Sequence, residues 1–193
     1  MLSPRQRRLV ADYEAVRAEF AGHEHVRVDP IGHLPPEAYR ITYKLKGLTL
    51  EGDQPVVAEE HVVDLRLPLG YPREQPLASP TTAIFHPNVA ATYCIGDYWS
   101  AGQPLTDIIA KMGDMIQYRV FNVKSPLNAV AARWVAENET IFPIGDIQLG
   151  VPEIDVELKA PGSGAQPDQA EPESSEAVDE TDFAITLKRE VGA

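Results

Sequence analysis

Apolar residues near the start of the chain recur at the spacing of an α-helix. Ser3 precedes a proline and Gln6 follows it by three positions, which is the arrangement of a capping box at a helix start. We therefore predict a helix over residues 3–20 with Ser3 as its N-cap. Its buried face is expected to carry Leu9, Tyr13, Val16 and Phe20.

Four later segments alternate apolar and polar residues, which is the period of a β-strand with one buried face. They are residues 26–30, 39–46, 61–67 and 82–85. Turn formers, glycines and prolines separate them, so we predict a four-stranded antiparallel meander. The connection over residues 69–80 holds three prolines and is expected to lack regular structure.

Two further helices are predicted after the strands. Residues 104–118 keep helical apolar spacing, although Gly113 weakens that helix by about 1 kcal/mol. Residues 125–138 begin with Ser125 as a cap and Pro126 in the first turn. The core face of this last helix would be Leu127, Val130, Ala131, Trp134 and Val135. A helix, four strands and two helices indicate an α+β fold with the helices packed on the sheet.

The composition divides the chain into one folded domain and a tail. We predict a domain over residues 1–158, a disordered acidic linker over 159–182 and a short apolar and basic segment over 183–193. The linker is rich in Pro, Gly, Ser and acids and cannot bury enough apolar surface to offset its ordering entropy. Residues 183–193 are either a strand able to add to a sheet edge, as a binding motif, or a frayed terminus.

Charge and cysteine content exclude several classes of protein. A formal net charge of −12 argues against a nucleic-acid partner, because binding phosphates needs a basic surface. No apolar run reaches the roughly 18 residues of a membrane span. The single cysteine cannot form an internal disulfide, and the N-terminus lacks the apolar core of a secretory signal, so we expect a cytoplasmic protein. Residue spacing indicates no metal site and no cofactor.

The chemistry of the chain centres on Cys94. A His86-Pro87-Asn88 turn precedes it, and Gly96 and Asp97 follow it closely. Three interpretations are open: a small buried core residue, the nucleophile of a Cys-His hydrolase using His86 or His61, or a thioester carrier.

Several motifs occur in a fixed order around this cysteine. They are Tyr71-Pro72 in the proline-rich loop, the His-Pro-Asn turn at 86–88, Cys94, Trp99-Ser100, and SPLN with a later Trp at 125–134. In these motifs the sequence resembles the ubiquitin-conjugating enzyme (UBC-like) family over about residues 3–138. We expect a divergent, bacterial member that serves a modification or antiphage operon.

The resemblance implies a mechanism and a set of partners. Cys94 would accept a ubiquitin-like modifier as a thioester from an activating enzyme and pass it to an amine on a target protein, with a ligase as a further partner. Asn88 would donate to the oxyanion or brace the loop that carries Cys94. His86 and Pro87 would be structural members of the turn, and Asp97 would lie near the acceptor groove.

The chain also departs from the family pattern. The acid that typical members carry before the Pro-Leu pair is Ser125 here, which leaves the acceptor step in question. Asn122 occupies the position of a family asparagine, and Asp97 or Asp114 is the alternative source of a carboxylate. Beyond residue 138 an irregular segment replaces the family's final helix. The alternative function is an inactive adaptor that binds a ubiquitin-like protein or its activating enzyme.

Three arginines occupy the first turns of the predicted N-terminal helix. Arg5, Arg7 and Arg8 are either a solvated face or a docking patch for an acidic partner. The resemblance implies that they bind the activating enzyme, and that loops 69–76 and 97–103 would meet a ligase.

Overall fold

The computed structural model describes residues 1–150. Three α-helices and six strands make up this part of the chain. In chain order they are α1 (Pro4–Phe20), β1 (Val26–Ile31), β2 (Ala38–Tyr43), β3 (Gly47–Glu51), β4 (Gln54–Ala58), β5 (His61–Arg66), β6 (Leu77–Pro80), α2 (Leu105–Ile116) and α3 (Ala129–Glu137). The predicted α+β fold is confirmed. The linker at 159–182, the segment at 183–193 and the domain end at 158 lie outside the described residues.

The main sheet is an antiparallel meander of four strands in the order β1-β2-β5-β6. Its fourth strand is Leu77–Pro80, so the predictions of a strand at 82–85 and of an irregular connection at 77–80 are wrong. A short edge strand tolerates Pro80 because one side of its backbone needs no partner. Thr82 instead leaves the sheet, and its hydroxyl accepts a hydrogen bond from the Val62 amide at 2.9 Å.

A hairpin of β3 and β4 extends the connection between β2 and β5. The sequence prediction missed it and ran the second strand on to residue 46, whereas β2 ends at Tyr43. Gly47 starts the hairpin against the end of α2. A Cβ at this position would lie 2.8 Å from the Ile116 carbonyl oxygen, which explains why a glycine stands there.

Helix α1 begins as predicted. The Ser3 hydroxyl accepts from the Gln6 amide at 3.1 Å, and the Gln6 side chain accepts from the Ser3 amide at 2.9 Å. Leu9, Val16 and Phe20 are buried, while Tyr13 is only partly covered. No helix within residues 1–150 is both long enough and apolar enough to cross a bilayer.

Helix α3 begins later than predicted. It starts at Ala129, and Asn128 rather than Ser125 is its N-cap, accepting from the Ala131 amide at 3.1 Å. The amides of Leu127 and Asn128 donate to the Pro87 carbonyl at 2.8 and 2.9 Å, which holds the preceding segment against the His-Pro-Asn turn. Leu127 and Val130, assigned to the core face from their spacing, are 49% and 71% exposed.

The segment after α3 is irregular, as expected, apart from a 3₁₀ turn at Glu139–Ile141. Gln117, which is fully buried, holds it in place: its side chain bonds both the amide and the carbonyl of Ile147 at 2.8 Å. Leu149 then packs over Gly113, where a Cβ would lie 2.2 Å from the Leu149 Cδ1 atom. The glycine that weakens α2 therefore makes room for this segment.

Candidate active site

Cys94 lies at the end of a short bridge between Val89 and Tyr93 that follows the sheet. Its amide donates to the carbonyl of Asn88 at 2.9 Å, so the cysteine is tied directly to the His-Pro-Asn turn. The thiol is free and its residue is partly exposed. It is therefore not a fully buried core residue, which was the simplest interpretation of a lone cysteine.

His86 shapes the turn from inside the protein. Its Nδ1 atom accepts from the Asn88 amide at 3.0 Å, and its ring packs on Tyr118 with 4.7 Å between centroids. The residue has no exposed surface, and this burial lowers its pKa to about 4. His86 is thus a neutral structural residue, and its acceptor nitrogen is already occupied.

Asn88 holds the loop on the opposite side of the cysteine. Its side-chain amide donates to the Asn122 carbonyl at 2.8 Å, and its side-chain oxygen accepts from the Asn122 amide at 2.6 Å. Asn88 is buried, so both groups are paired where an unmade bond would be costly. These two bonds join the His-Pro-Asn turn to the segment that carries Asn122.

A cleft of about 120 Å³ opens at the cysteine. Its described lining consists of Asn88, Cys94, Tyr98, Met115, Val120, Asn122 and Ser125. Four residues assigned from the sequence therefore meet in one place: Cys94, Asn88, Asn122 and Ser125. His86 and Pro87 belong to the turn that precedes the cysteine, and neither His86 nor His61 is among the residues described in the lining of the cleft.

Asp114, one of the two acidic candidates, is not among the residues that line this cleft. Asp114 faces a separate cleft, where it pairs with Arg119 at 3.2 Å. Burial raises the pKa of the Asp114 carboxyl, while Arg119 and Lys111 oppose the shift. The side chain of Asp97 lies outside what the structure describes. The lining residues that the structure describes at Cys94 include no Asp, Glu, Lys or Arg.

Sequence reasoning missed two apolar members of the cleft. Met115 comes from α2, and Val120 comes from the turn after it. Tyr118 carries a φ of 58°, which is the left-handed region, and it lies between α2 and the segment that carries Val120 and Asn122. No local pattern marks a bulky residue in this conformation, so the sequence offered no signal for it.

The three arginines of α1 differ in their surroundings. Arg5 pairs with Glu37 at 2.6 Å and donates to the Pro68 carbonyl at 3.1 Å. Arg8 pairs with Asp12 at 2.8 Å and also bonds the loop at 101–103. Arg7 is exposed and bonds the Leu2 carbonyl of its own terminus at 2.9 Å. The interpretation of these arginines as a solvated face is therefore wrong for Arg5 and Arg8. Binding of the three arginines to an activating enzyme stays a prediction.

Within residues 1–150, no group of three or more His, Cys, Asp or Glu is placed to hold a metal ion.

The fold of this chain is similar to that of solved structures of known proteins. A proposed ubiquitin conjugating enzyme from Plasmodium yoelii superposes with a TM-score of 0.53 at 18% identity, covering 74% of this chain and 90% of that one. The E2 domain of a Toxoplasma gondii ubiquitin conjugating enzyme gives a TM-score of 0.51 at 20% identity, covering 71% and 90%. The fold is that of ubiquitin-conjugating enzymes.

At these identities the likeness establishes the fold, not the activity. A scan against protein-family models finds no match, and a search of curated proteins finds none either. The function of this chain must therefore be inferred from the geometry around Cys94.

Proposed function

We propose that this chain carries a ubiquitin-like modifier as a thioester on Cys94 and transfers it to an amine of a target protein. The observation that carries the proposal is the bond between the Cys94 amide and the Asn88 carbonyl, together with the cleft that both residues line. A partly exposed thiol next to the buried, hydrogen-bonded amide of Asn88 is suited to acyl transfer. The partners are the modifier, its activating enzyme, the target and a ligase.

The loading step uses the thiolate of Cys94. Its sulfur attacks the thioester carbonyl carbon of the modifier on the activating enzyme, a new carbon–sulfur bond forms, and the enzyme's thiolate leaves. Negative charge collects on the carbonyl oxygen during the attack. The Asn88 amide carries two N–H groups, of which one bonds Asn122, and we assign the other to this oxygen.

The transfer step has less support from the described residues. An attacking amine must lose a proton, and the cleft offers the hydroxyl of Ser125 and the amides of Asn88 and Asn122 rather than a carboxylate. Asp97, three residues after Cys94, is the remaining acid assigned to the site. We propose that it assists the amine, so Asp97→Asn should slow discharge of the thioester without slowing its formation.

An inactive adaptor is the alternative, and Ser125 in place of the acid that typical members of the family carry favours it. Such a protein would bind a ubiquitin-like protein or its activating enzyme through the same surfaces and would leave the thiol unused. We further propose, from the resemblance alone, that the protein works in the bacterial cytoplasm as part of a modification or antiphage operon.

Expression in the native host with the neighbouring genes separates these functions. Tagged wild type, Cys94→Ser and Cys94→Ala are purified and compared on gels with and without reductant. A carrier gives a band that reductant removes from wild type and that becomes resistant to reductant in Cys94→Ser, where the link is an oxygen ester. Cys94→Ala should show no added band. Equal copurification of the modifier with all three proteins, without any covalent adduct, identifies an adaptor.

A further inference from the structure

Arg8 makes three separate connections from α1. Its Nε atom donates to Asp12 at 2.8 Å, one terminal nitrogen donates to the Ala101 carbonyl at 2.7 Å, and the other donates to the Gln103 carbonyl at 2.5 Å. The side chain is 20% exposed and that of Asp12 only 7%. The planar fork of an arginine fits this arrangement, because it directs several N–H groups at fixed angles.

The same guanidinium group connects two loops. It lies over the ring of Tyr71 at 5.5 Å and over that of Trp99 at 6.0 Å. Asp12 also accepts from the Tyr71 hydroxyl, and the Trp99 indole donates to the Pro72 carbonyl at 3.1 Å. Loops 71–72 and 99–103 are therefore held to α1 by one cation and its buried acid.

Loop 99–103 is continuous with a wall of the Cys94 cleft. The 3₁₀ turn Gly96–Tyr98 begins two residues after Cys94 and leads into Trp99. Tyr98 lines the cleft, and its amide donates to the Ile95 carbonyl at 3.0 Å. Only Trp99 and Ser100 separate Tyr98 from Ala101, the first residue of this loop that Arg8 bonds.

We propose that Arg8 is a positioning residue for the Cys94 cleft, rather than a surface cation of the docking patch. It fixes loop 99–103 and through it the Tyr98 wall, so access to the thiol depends on a residue of α1. Arg7, one position earlier, makes no comparable link to this loop and keeps the exposure expected of a docking cation. The effect on the thiol is independent of the proposed function, whereas the consequence for transfer rests on it.

The rate of Cys94 alkylation by iodoacetamide tests the proposal directly, because the chain contains a single cysteine. Wild type, Arg8→Lys, Arg8→Gln and Arg7→Lys are compared across a range of pH. The midpoint of each profile reports the thiol pKa, and the plateau at high pH reports access to the sulfur. Urea unfolding of each variant gives its global stability.

We expect Arg8→Lys to raise the plateau rate about tenfold, because a lysine cannot make the forked bonds that keep the loop closed. Arg8→Gln should raise it at least as much, and Arg7→Lys should leave it unchanged. Should Arg8→Gln fail to fold, Arg8→Lys decides, since it keeps the charge. An unchanged plateau rate in Arg8→Lys overturns the proposal. A rise in the plateau rate that the loss of global stability fully explains also overturns it.

Thioester formation with purified activating enzyme and modifier extends the test to function. Once wild type loads, we expect Arg8→Lys to discharge to amine on the order of tenfold more slowly, since small displacements in a site have large kinetic costs. Equal discharge rates would overturn the functional part of the proposal. If wild type never loads, the proposed function fails, while the alkylation result still decides the role of Arg8.

Discussion

The side chain of Asn88 closes a ring of two hydrogen bonds on the backbone of Asn122, at 2.8 and 2.6 Å. The Asn88 carbonyl meanwhile accepts from the Cys94 amide. One residue thus joins the cysteine segment to the loop after α2, and the cleft lies between them. The distance from the thiol to the groups across the cleft is therefore set by Asn88.

Replacing Asn88 should damage both the loop and the chemistry. Asn88→Ala leaves the Asn122 amide and carbonyl without these partners, so the free energy of unfolding should fall by about 1–2 kcal/mol. Loss of a donor to the oxyanion should also slow thioester formation on the order of a hundredfold. Urea unfolding and single-turnover loading measure the two effects separately.

Asn122→Ala is the matched control for Asn88. Asn88 bonds only the backbone of Asn122, so this variant keeps both bonds and loses the side-chain bond to the Lys124 amide. It should therefore load much faster than Asn88→Ala. Equal losses in the two variants would contradict the role given to the Asn88 side chain.

The start of α3 gives a second prediction. Asn128→Ala removes the observed N-cap, so the free energy of unfolding should fall by about 1 kcal/mol. Ser125→Ala should change it by less than about 0.5 kcal/mol, because Ser125 is exposed and outside the helix. Urea unfolding of both variants shows which one loses more of the free energy of unfolding. A larger loss of stability in Ser125→Ala than in Asn128→Ala would indicate that Ser125 is the N-cap, as the sequence alone suggests.

Stability should depend on pH through His86. The ring is neutral in the folded protein with a pKa lowered to about 4 by burial, whereas the unfolded chain binds a proton near the ordinary value of 6.5. The unfolded state therefore holds more protons between these values, and stability falls as the pH is lowered from about 6.5 to 4. This group contributes a loss of about 3 kcal/mol over that window.

Substitution of His86 isolates that contribution. His86→Asn keeps a side-chain acceptor near the Asn88 amide and removes the titrating ring, so its stability should vary less with pH over the same window. Burial also lowers the pKa of His61, which adds a dependence of the same sign in both proteins. Parallel stability curves for wild type and His86→Asn would contradict a buried neutral His86.

Gly113 and Leu149 are expected to be coupled. Alanine favours a helix over glycine by about 1 kcal/mol, yet Gly113→Ala should destabilise the protein by about 1–3 kcal/mol because its Cβ meets Leu149. Combining it with Leu149→Ala relieves the overlap, so the double variant should be more stable than the sum of the single changes implies. Additive losses in urea unfolding would show that the two sites are independent.

Sequence patterns predicted the elements whose formation depends on residues close together in the chain. The capping box of Ser3 and Gln6 placed the start of α1 correctly, and the strand period located β1, β2 and β5 to within a few residues. The start of α3 was misplaced because Ser125-Pro126 is a good local cap signal, while the bonds from Leu127 and Asn128 to Pro87 are tertiary. The β3–β4 hairpin was missed, since Pro55 interrupts its second strand.

The candidate site was also predicted from the sequence only in part. The family resemblance singled out Asn88, Asn122 and Ser125, and all three line the same cleft as Cys94. Met115 and Val120 reach the cleft only through the packing of α2 and the left-handed turn at Tyr118. The internal role of Arg8 was also hidden, because its partners lie 93 and 95 positions away along the chain.

A lysine in place of Cys94 would trap the modifier as a stable amide if the chain carries it as a thioester at this position. This variant is expressed in the native host with the activating enzyme and modifier, digested, and analysed by peptide mass spectrometry. We expect a branched peptide in which the modifier's C-terminal carboxyl is joined to position 94 by an isopeptide bond that resists reductant. An unmodified peptide at position 94, in cells where the modifier is shown to be activated, would contradict it.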